Sequence, residues 1–516
     1  MTASSDLLPG TGLNQRVSRI ARLSAYLLLG LALIRFWIMP LGSSFFCDES
    51  GSYWTIQAGL GQIWTRYVEF PSAPPAYAVI VWLATVLGGA REYAMRLPSV
   101  LAMALACVLL YRLVQRLFDR ESALPAVAAF ACSKTIVFAA TDARPYAILL
   151  VFIIGSTLAL VRWLDSARPR DAAVYVVTAA LIPYYHYLAI PVLGVHAIYA
   201  WAKLRDGGPV RLRSLLLAAG AILTLLLPMM PPLLVLISRR QSHIWSPSPN
   251  VRDLADVLSP PVLVFGATFG LFLAWLACRK LAVRVTALPR PTVVLTLALM
   301  LGPALLAFVV SVASPTRIFV PRYVIASMVG LCMMIGWAIG RIQPAAARSI
   351  IIATIALSSI AAFGYTRRFW PPHIDHDWRG AMAAVRQTAG KSTDIPVLLK
   401  CPFIECTPQM MTSGNIPDWV LSPIALYPAT GRVVSVAFLF DDISSAYMEA
   451  NVVPDIERLG RFIVVNSAQD EVFDAWLNKR FPHYSGHALG AFGDVHAFEF
   501  RRDEKVGGAG RDRTDE

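Results

Sequence analysis

Long apolar stretches alternate with short polar connections over roughly the first two thirds of the chain. The first, "LSAYLLLGLALIRFWIMPLG", follows Arg16, Arg19 and Arg22. It is about 20 residues long, enough to cross a bilayer at about 1.5 Å per residue. A cleaved signal would have a shorter apolar region and a small-residue cleavage site, so this is expected to be a retained anchor that starts in the cytoplasm. Further runs lie near 97–111, 123–140, 146–161, 172–190, 189–202, 214–237, 258–278, 292–313, 321–340 and 349–364. With the first they predict about eleven spans. Pro191 is the expected break in the tight pair at 172–202.

One apolar segment is too short to count. "PPAYAVIVWLATVLGG" (Pro74–Gly89) opens on two prolines and closes on two glycines. A helix from Ala76 to Leu87 reaches only about 18 Å, which suits an interfacial or re-entrant helix. Charge agrees with this. If the segment does not cross, "YRLVQRLFDR", "VRWLDSARPR", "KLRDGGPVRLR", "CRKLAVRVTALPR" and "GRIQPAAAR" all face the cytoplasm, as the positive-inside rule requires. Asp48 and Glu49, "ATDARPYAI", "YYHYLAI" and "SPTRIFVPRY" then share the outer face.

Past about Tyr365 the pattern becomes that of a soluble domain. "DWRGAMAAVRQ" and "DEVFDAWLNKRF" read as helices, and "IPVLL", "RVVSVAFLF" and "RFIVVNS" as buried strands. Strands alternating with helices predict a small α/β domain, outside by the same parity. The expected organisation is therefore a cytoplasmic segment 1–20, a membrane module 21–366 with a first outer loop 42–96, an extracytoplasmic α/β domain 367–500, and a charged, glycine-rich, disordered tail 501–516. The fold class is mainly α: a polytopic helical membrane protein with interfacial helices and a C-terminal α/β domain.

Composition supports the membrane assignment. The 516 residues are 56% hydrophobic and 15% charged, against about a quarter charged in soluble domains. The net charge of +13 is scattered among loops between apolar runs, and no folded nucleic-acid motif accompanies it. None of the seven cysteines shows a zinc-type CxxC spacing. Cys401 and Cys406 ("CPFIEC") suit either a disulfide, in an oxidising compartment, or two free thiols.

The outer clusters carry the candidate chemistry. Asp48 and Glu49 lie among Phe45, Phe46, Tyr53 and Trp54 at the membrane edge. A solvated pair that merely ends a helix is the plain alternative. A carboxylate near hydrocarbon tends to a raised pKa and suits proton abstraction from a hydroxyl or amine. Asp142, Arg144 and Tyr146 stand at one span end, and Arg317, Arg322 and Tyr323 at another. Guanidinium groups fork onto two phosphate oxygens, whether on a substrate or on lipid headgroups. His186, between tyrosines and next to Tyr187, reads more readily as a hydrogen-bonded packing residue than as a ligand. One base and several arginines suffice for glycosyl transfer from a lipid-linked phospho-sugar. Its leaving group is already a phosphate, so no general acid is needed. Glycoside hydrolysis usually needs two separated carboxylates, and two adjacent ones cannot easily flank one bond. Asp48 is therefore the expected base and Glu49 its support.

These residues also carry a resemblance. "CDESGSYW", "FPSAPPAYAVIVWLATVLGG", "EYAMRLPSVLAMALACVLLYRLVQRLFDR", "ATDARPYAILL" and "PYYHYLAIPVLG", in that order across roughly 20–205, are similar to the C-superfamily membrane glycosyltransferases. The branch is that of protein O-mannosyltransferases and aminoarabinose transferases. "PRYVIAS" and "DWRGAM" extend the likeness. The resemblance implies a polyprenyl-phosphate sugar donor, an outer-face active site, inversion at the anomeric carbon and an interfacial helix after the first loop. It puts Asp48 on the family's base, Glu49 on its neighbour, and Arg96, Asp142, Arg144 and Tyr146 on commonly retained positions. Ser72 and Ala73 stand where some members have a basic residue or histidine before the double proline.

The expected function is transfer of a sugar to an extracytoplasmic glycolipid, envelope polysaccharide or protein at a bacterial-type inner membrane. Arg96, Arg144, Arg317, Arg322 and Tyr323 would hold the donor phosphate, and Asp142, Tyr146, His186 and Tyr187 the substrate. No HExxH or similar motif indicates a protein-built metal site, and no cofactor is certain. A divalent ion stays open, although two adjacent acids make a poor cage alone. The competing function is a secondary transporter or flippase of envelope precursors. Such proteins place ionisable groups at the midplane of broken helices, often in inverted repeats. Here the run centres are nearly uncharged and no repeat is visible.

Overall fold

The computed structural model describes residues 11–238, 246–278, 281–363, 369–413, 416–467 and 470–503. Two compact units emerge, one of residues 1–42 and 74–371, the other of 43–73 and 372–516. Most of the expected tail lies outside the described residues.

The first unit is helical: α1 (Thr11–Leu33), α4 (Pro75–Gly88), α5 (Glu92–Leu117), α6 (Arg120–Ala131), α7 (Lys134–Thr141), α8 (Tyr146–Ser166), α9 (Pro169–Tyr185), α10 (Pro191–Arg205), α11 (Leu212–Leu226), α12 (Met230–Ser238), α13 (Val251–Leu258), α14 (Pro261–Ala277), α15 (Arg290–Ala313), α16 (Ala326–Gly340) and α17 (Ala345–Ala362). The two-residue strands β1 (Ala282–Val283) and β2 (Ile342–Gln343) pair antiparallel. The second unit holds α2 (Cys47–Gln57), α3 (Ile63–Glu69), α18 (Trp378–Ala389), α19 (Pro408–Thr412), α20 (Asp442–Asn451), α21 (Val453–Leu459) and α22 (Glu471–Arg480). Its strands are β3 (Pro396–Lys400), β4 (Arg432–Val436), β5 (Arg461–Asn466), β6 (Tyr484–Ala488) and β7 (His496–Arg502).

Each of the apolar runs becomes helical. By length and composition, seven helices of the described residues can cross a membrane, or up to nine if two bent pairs each count once. The run at 123–140 is one such pair, α6 and α7, bent by 68° around Cys132 and Ser133. The other joins α13 to α14 at 49°. The segment after the double proline is α4, 14 residues and thus about 21 Å long, short of the ~30 Å of hydrocarbon. α16, at 15 residues, is also short. The pair at 172–202 breaks before Pro191: α9 ends at Tyr185, His186 is extended, and Pro191 opens α10 at the position where its missing N–H costs nothing.

Small residues let helices of this unit approach closely, the usual device where lipid removes the hydrophobic drive. Gly266 and Gly270 of α14 face α17, and a Cβ on Gly270 would stand 2.8 Å from the Ile351 Cα. The Thr354 hydroxyl, nearby on α17, donates to the Gly266 carbonyl at 2.9 Å. Gly336 and Gly340 of α16 do the same against Ala126 and Ser122 of α6. At the α6 start, buried Arg341 pairs with Asp119, and Glu121 takes Arg284 and Arg348 at 3.5 and 3.4 Å.

In the second unit the sheet order is β4-β3-β5-β7-β6. β3, β4 and β5 run parallel, their near-continuous apolar sequence matching burial on both faces. β7 returns antiparallel to β5, and β6 closes the edge. Leu398, Val434, Val464 and Phe462 meet Met448, Ile456, Phe473 and Leu477 of α20–α22 in its core. The helices expected at 377–387 and 470–481 are α18 and α22, and the three expected strands are β3, β4 and β5. The β6–β7 pair is an addition to that expectation.

Candidate functional site

The two units contribute separate sets of residues. In the second unit Asp48 and Glu49 open α2. Phe46 precedes it in extended conformation, and its N–H donates to Glu49 Oε2 at 3.0 Å. That bond satisfies a main-chain donor near the helix start, where the positive end of the dipole favours a carboxylate. Glu49 is wholly buried, whereas Asp48 is half-buried. Neighbouring helix positions are about 100° apart, so the two acids face different surroundings.

The α2 segment is tied down along its length. Phe45 N–H donates to the Tyr427 hydroxyl at 3.0 Å. The hydroxyls of Ser43 and Ser44 accept the main-chain N–H groups of His373 and Arg379 at 3.0 and 3.1 Å. Trp54 Nε1 donates to Asp418 at 3.0 Å, while Arg66 reaches the same carboxylate at 3.2 Å and stacks 4.5 Å over the Trp54 ring. Phe70 lies flat on Trp419, with centroids 4.4 Å apart. These anchors escaped sequence reasoning, because each joins residues more than 300 positions apart except the Arg66–Trp54 stack. Their only local sign is the density of aromatic residues in 43–73.

In the first unit the structure brings together residues from three connections. The His186 ring lies 5.7 Å from Tyr187, 5.5 Å from Tyr146 and 5.2 Å from Tyr323. Its backbone is extended where α9 ends, Tyr146 begins α8, and Tyr323 precedes α16. The Arg322 guanidinium sits 5.4 Å over the Tyr323 ring, a cation–π contact. His186 thus stands within a ring of tyrosines, one of which carries an arginine over its face.

Asp142 ends α7 and is buried, and its carbonyl accepts the Ser99 hydroxyl at 2.7 Å. The same hydroxyl lies 3.5 Å from the Arg144 carbonyl, so Ser99 of α5 holds the turn that presents Asp142, Arg144 and Tyr146. Arg96, one helical turn earlier on α5, is fully buried. It donates to the carbonyls of Pro40 and Leu41 at 3.0 and 3.2 Å. Arg317 donates to the Ser314 carbonyl at 2.6 Å and also to that of Ser311, closing the end of α15. The guanidinium groups of Arg96 and Arg317 thus engage main-chain carbonyls, whereas Arg322 lies against an aromatic face.

Chemically, the first unit offers guanidinium and tyrosine groups suited to a phosphate and to sugar rings, and the second a half-buried carboxylate at a helix start. The fold is similar to that of ArnT from Cupriavidus metallidurans, solved bound to undecaprenyl phosphate and in the apo state. Each comparison gives 13% identity, 92% of this chain, 97% of that chain and a TM-score of 0.49. It is also similar to the arabinofuranosyltransferase AftD from Mycobacteria, at 15% identity over 93% of this chain and 40% of that one, with a TM-score of 0.48. No curated protein sequence matches the chain at a significant level. Residues 72–234, from the double proline of α4 into α12, match the family model described as dolichyl-phosphate-mannose-protein mannosyltransferase. Over that stretch the chain is similar to that mannosyltransferase family, in agreement with the resemblance drawn from the sequence motifs.

Proposed function

We propose that the protein transfers a sugar from a polyprenyl-phosphate donor to an acceptor outside a bacterial-type inner membrane, with inversion at the anomeric carbon. The observation that carries this reading is the family match over 72–234, which includes Arg96, Asp142, Arg144, Tyr146, His186 and Tyr187. An acceptor hydroxyl or amine attacks the anomeric carbon and gives its proton to the Asp48 carboxylate. The bond from that carbon to the phosphate oxygen breaks, and polyprenyl phosphate leaves with the negative charge. Guanidinium groups stabilise that charge as it develops.

The roles divide by environment. Asp48 is half-buried and keeps its carboxylate for the acceptor proton, while buried Glu49 fixes the helix start. Arg322 and Arg144 hold the donor phosphate, with Tyr323 beside Arg322. Asp142, Tyr146, His186 and Tyr187 hold the sugar. Arg96 and Arg317 position backbone. The basic connections support an extracytoplasmic α2 and α/β domain. The acceptor is a glycolipid, an envelope polysaccharide or a protein.

The test is a panel of radiolabelled polyprenyl-phosphate sugars given to the purified protein with Asp48→Asn as control. Transfer from one of them, lost by at least about 100-fold in the variant while its melting temperature is kept, is the expected result. Wild-type transfer rates in Asp48→Asn would remove Asp48 as the base, and no transfer from any donor would remove the reading.

A further inference from the structure

Cys401 and Cys406 lie five residues apart just past the carboxyl end of β3, in the second unit. Both are buried, at 1% and 0% exposure. Their main chains are fixed against one short stretch that continues β4: Cys401 N–H donates to the Val436 carbonyl at 2.9 Å, and Phe438 N–H donates to the Cys406 carbonyl at 3.0 Å. A turn between them is closed by Cys406 N–H on the Phe403 carbonyl at 3.0 Å. The two cysteines thus stand on adjoining backbone within one buried cluster.

We propose that Cys401 and Cys406 form a disulfide in the native protein. A disulfide needs close Cβ atoms and a backbone that holds them without strain, and here the strand-like bonds to Val436 and Phe438 supply that frame. The inference rests on the extracytoplasmic placement of the α/β domain, since thiols persist in a reducing cytosol and pair in an oxidising compartment. In the reaction the two S–H groups give up two protons and two electrons, an S–S bond forms, and the electrons reduce the disulfide of a thiol-oxidising protein of that compartment. Burial, and then the neighbouring thiol, hold Cys401 well above the usual thiol pKa. A buried protonated thiol is a poor nucleophile, so the bond forms while the chain folds.

The bond has a consequence for the α2 segment. Phe403, inside the closed loop, packs edge-on against Phe70 at 5.1 Å. Cys47 and Trp54 of α2 belong to the same core as Cys401, Phe403 and Cys406. Cross-linking the loop stiffens the wall against which the Asp48-bearing helix is packed.

Trypsin yields both cysteines in one peptide, Cys401–Arg432, which contains no other cysteine, lysine or internal arginine. Cells are acid-quenched, and the protein is denatured without reductant, treated with N-ethylmaleimide and digested. The expected peptide carries no maleimide and is about two mass units lighter than the dithiol, because two hydrogens are lost. A peptide with two maleimides overturns the proposal. An alkaline phosphatase fused to the C-terminus separates the two readings. Free thiols with an active fusion sink the disulfide alone, and free thiols with an inactive fusion sink it together with the assigned sidedness. In the purified protein, dithiothreitol is expected to lower the melting temperature of wild type by about 5 °C and leave Cys401→Ser/Cys406→Ser unmoved. Equal responses would count against the bond.

Discussion

Arg96 on α5 donates to the carbonyl of Pro40 at 3.0 Å, across 56 residues of sequence, with the whole guanidinium buried. Pro40 and Leu41 end the first span, and carbonyls there have lost their helical partners. In a membrane such groups need an internal donor, and Arg96 provides it. Arg96→Ala should therefore destabilise the detergent-solubilised protein by about 1–3 kcal/mol for the stranded carbonyls, read as a lower melting temperature. Arg96→Lys should recover little, because a point ammonium cannot reproduce the fork. A variant as stable as wild type would show that the contact is dispensable.

Glu49 and Asp48 should separate in experiment. Glu49→Ala removes the acceptor for the Phe46 N–H and should cost about 0.5–2 kcal/mol of stability, as lost helix caps do. Asp48→Asn should leave stability unchanged and abolish transfer. Thermal unfolding measured beside donor turnover distinguishes the two, and equal thermal losses would argue against the division.

The close helix crossings give a paired control. A Cβ on Gly270 would meet the Thr354 hydroxyl at 2.1 Å and the Ile351 Cα at 2.8 Å, while one on Gly220 meets nothing within 4 Å. Gly270→Ala should destabilise the membrane unit by about 1–3 kcal/mol through overpacking. Gly220→Ala should be neutral or slightly stabilising, since alanine is the better helix former. Parallel melting curves of the two variants decide it.

Buried Lys400 makes an ion pair with half-buried Asp470 in the second unit. Burial by itself would raise the Asp470 pKa. The Lys400 ammonium and the N–H groups of Phe473 and Phe440 outweigh it and hold the carboxyl below its usual value. A depressed folded-state pKa means the folded form binds the proton less tightly than the unfolded one. The pair's contribution is thus full above the unfolded value of about 3.9 and fades as pH falls through the lower folded value. Asp470→Asn should strand the Lys400 charge and cost about 3–5 kcal/mol, with Lys400→Met/Asp470→Asn recovering much of it. Acid titrations followed by near-ultraviolet circular dichroism check both, and an unchanged profile in Asp470→Asn would refute the pairing.

Much of this architecture is legible in the chain because it is local. Hydropathy over about 20 residues marks α1, α5 to α12 and α14 to α17, and apolar blocks bounded by turn residues mark β3, β4 and β5. β6 escaped because Tyr484–Ala488 is an exposed edge strand with a glycine at its centre, so neither alternation nor β-branched residues announce it. Short α4 was readable from its prolines and glycines. The 68° bend between α6 and α7 was not, since Cys132 and Ser133 interrupt an apolar run without a proline or glycine at the break.

What the sequence determined by itself is the kind of molecule: a helical membrane protein with an α/β domain, and the residue types for phosphate and proton chemistry near span ends. Periodicity and solvent preference are properties of neighbours along the chain, so they survive without a structure. Only the tertiary structure decided which of those residues meet. It enclosed His186 among Tyr146, Tyr187 and Tyr323, turned Arg96 and Arg317 onto carbonyls, and buried Glu49 while leaving Asp48 half-buried. Most of those arrangements join segments tens of residues apart, and the roles of two adjacent acids follow from what packs on each side of a helix.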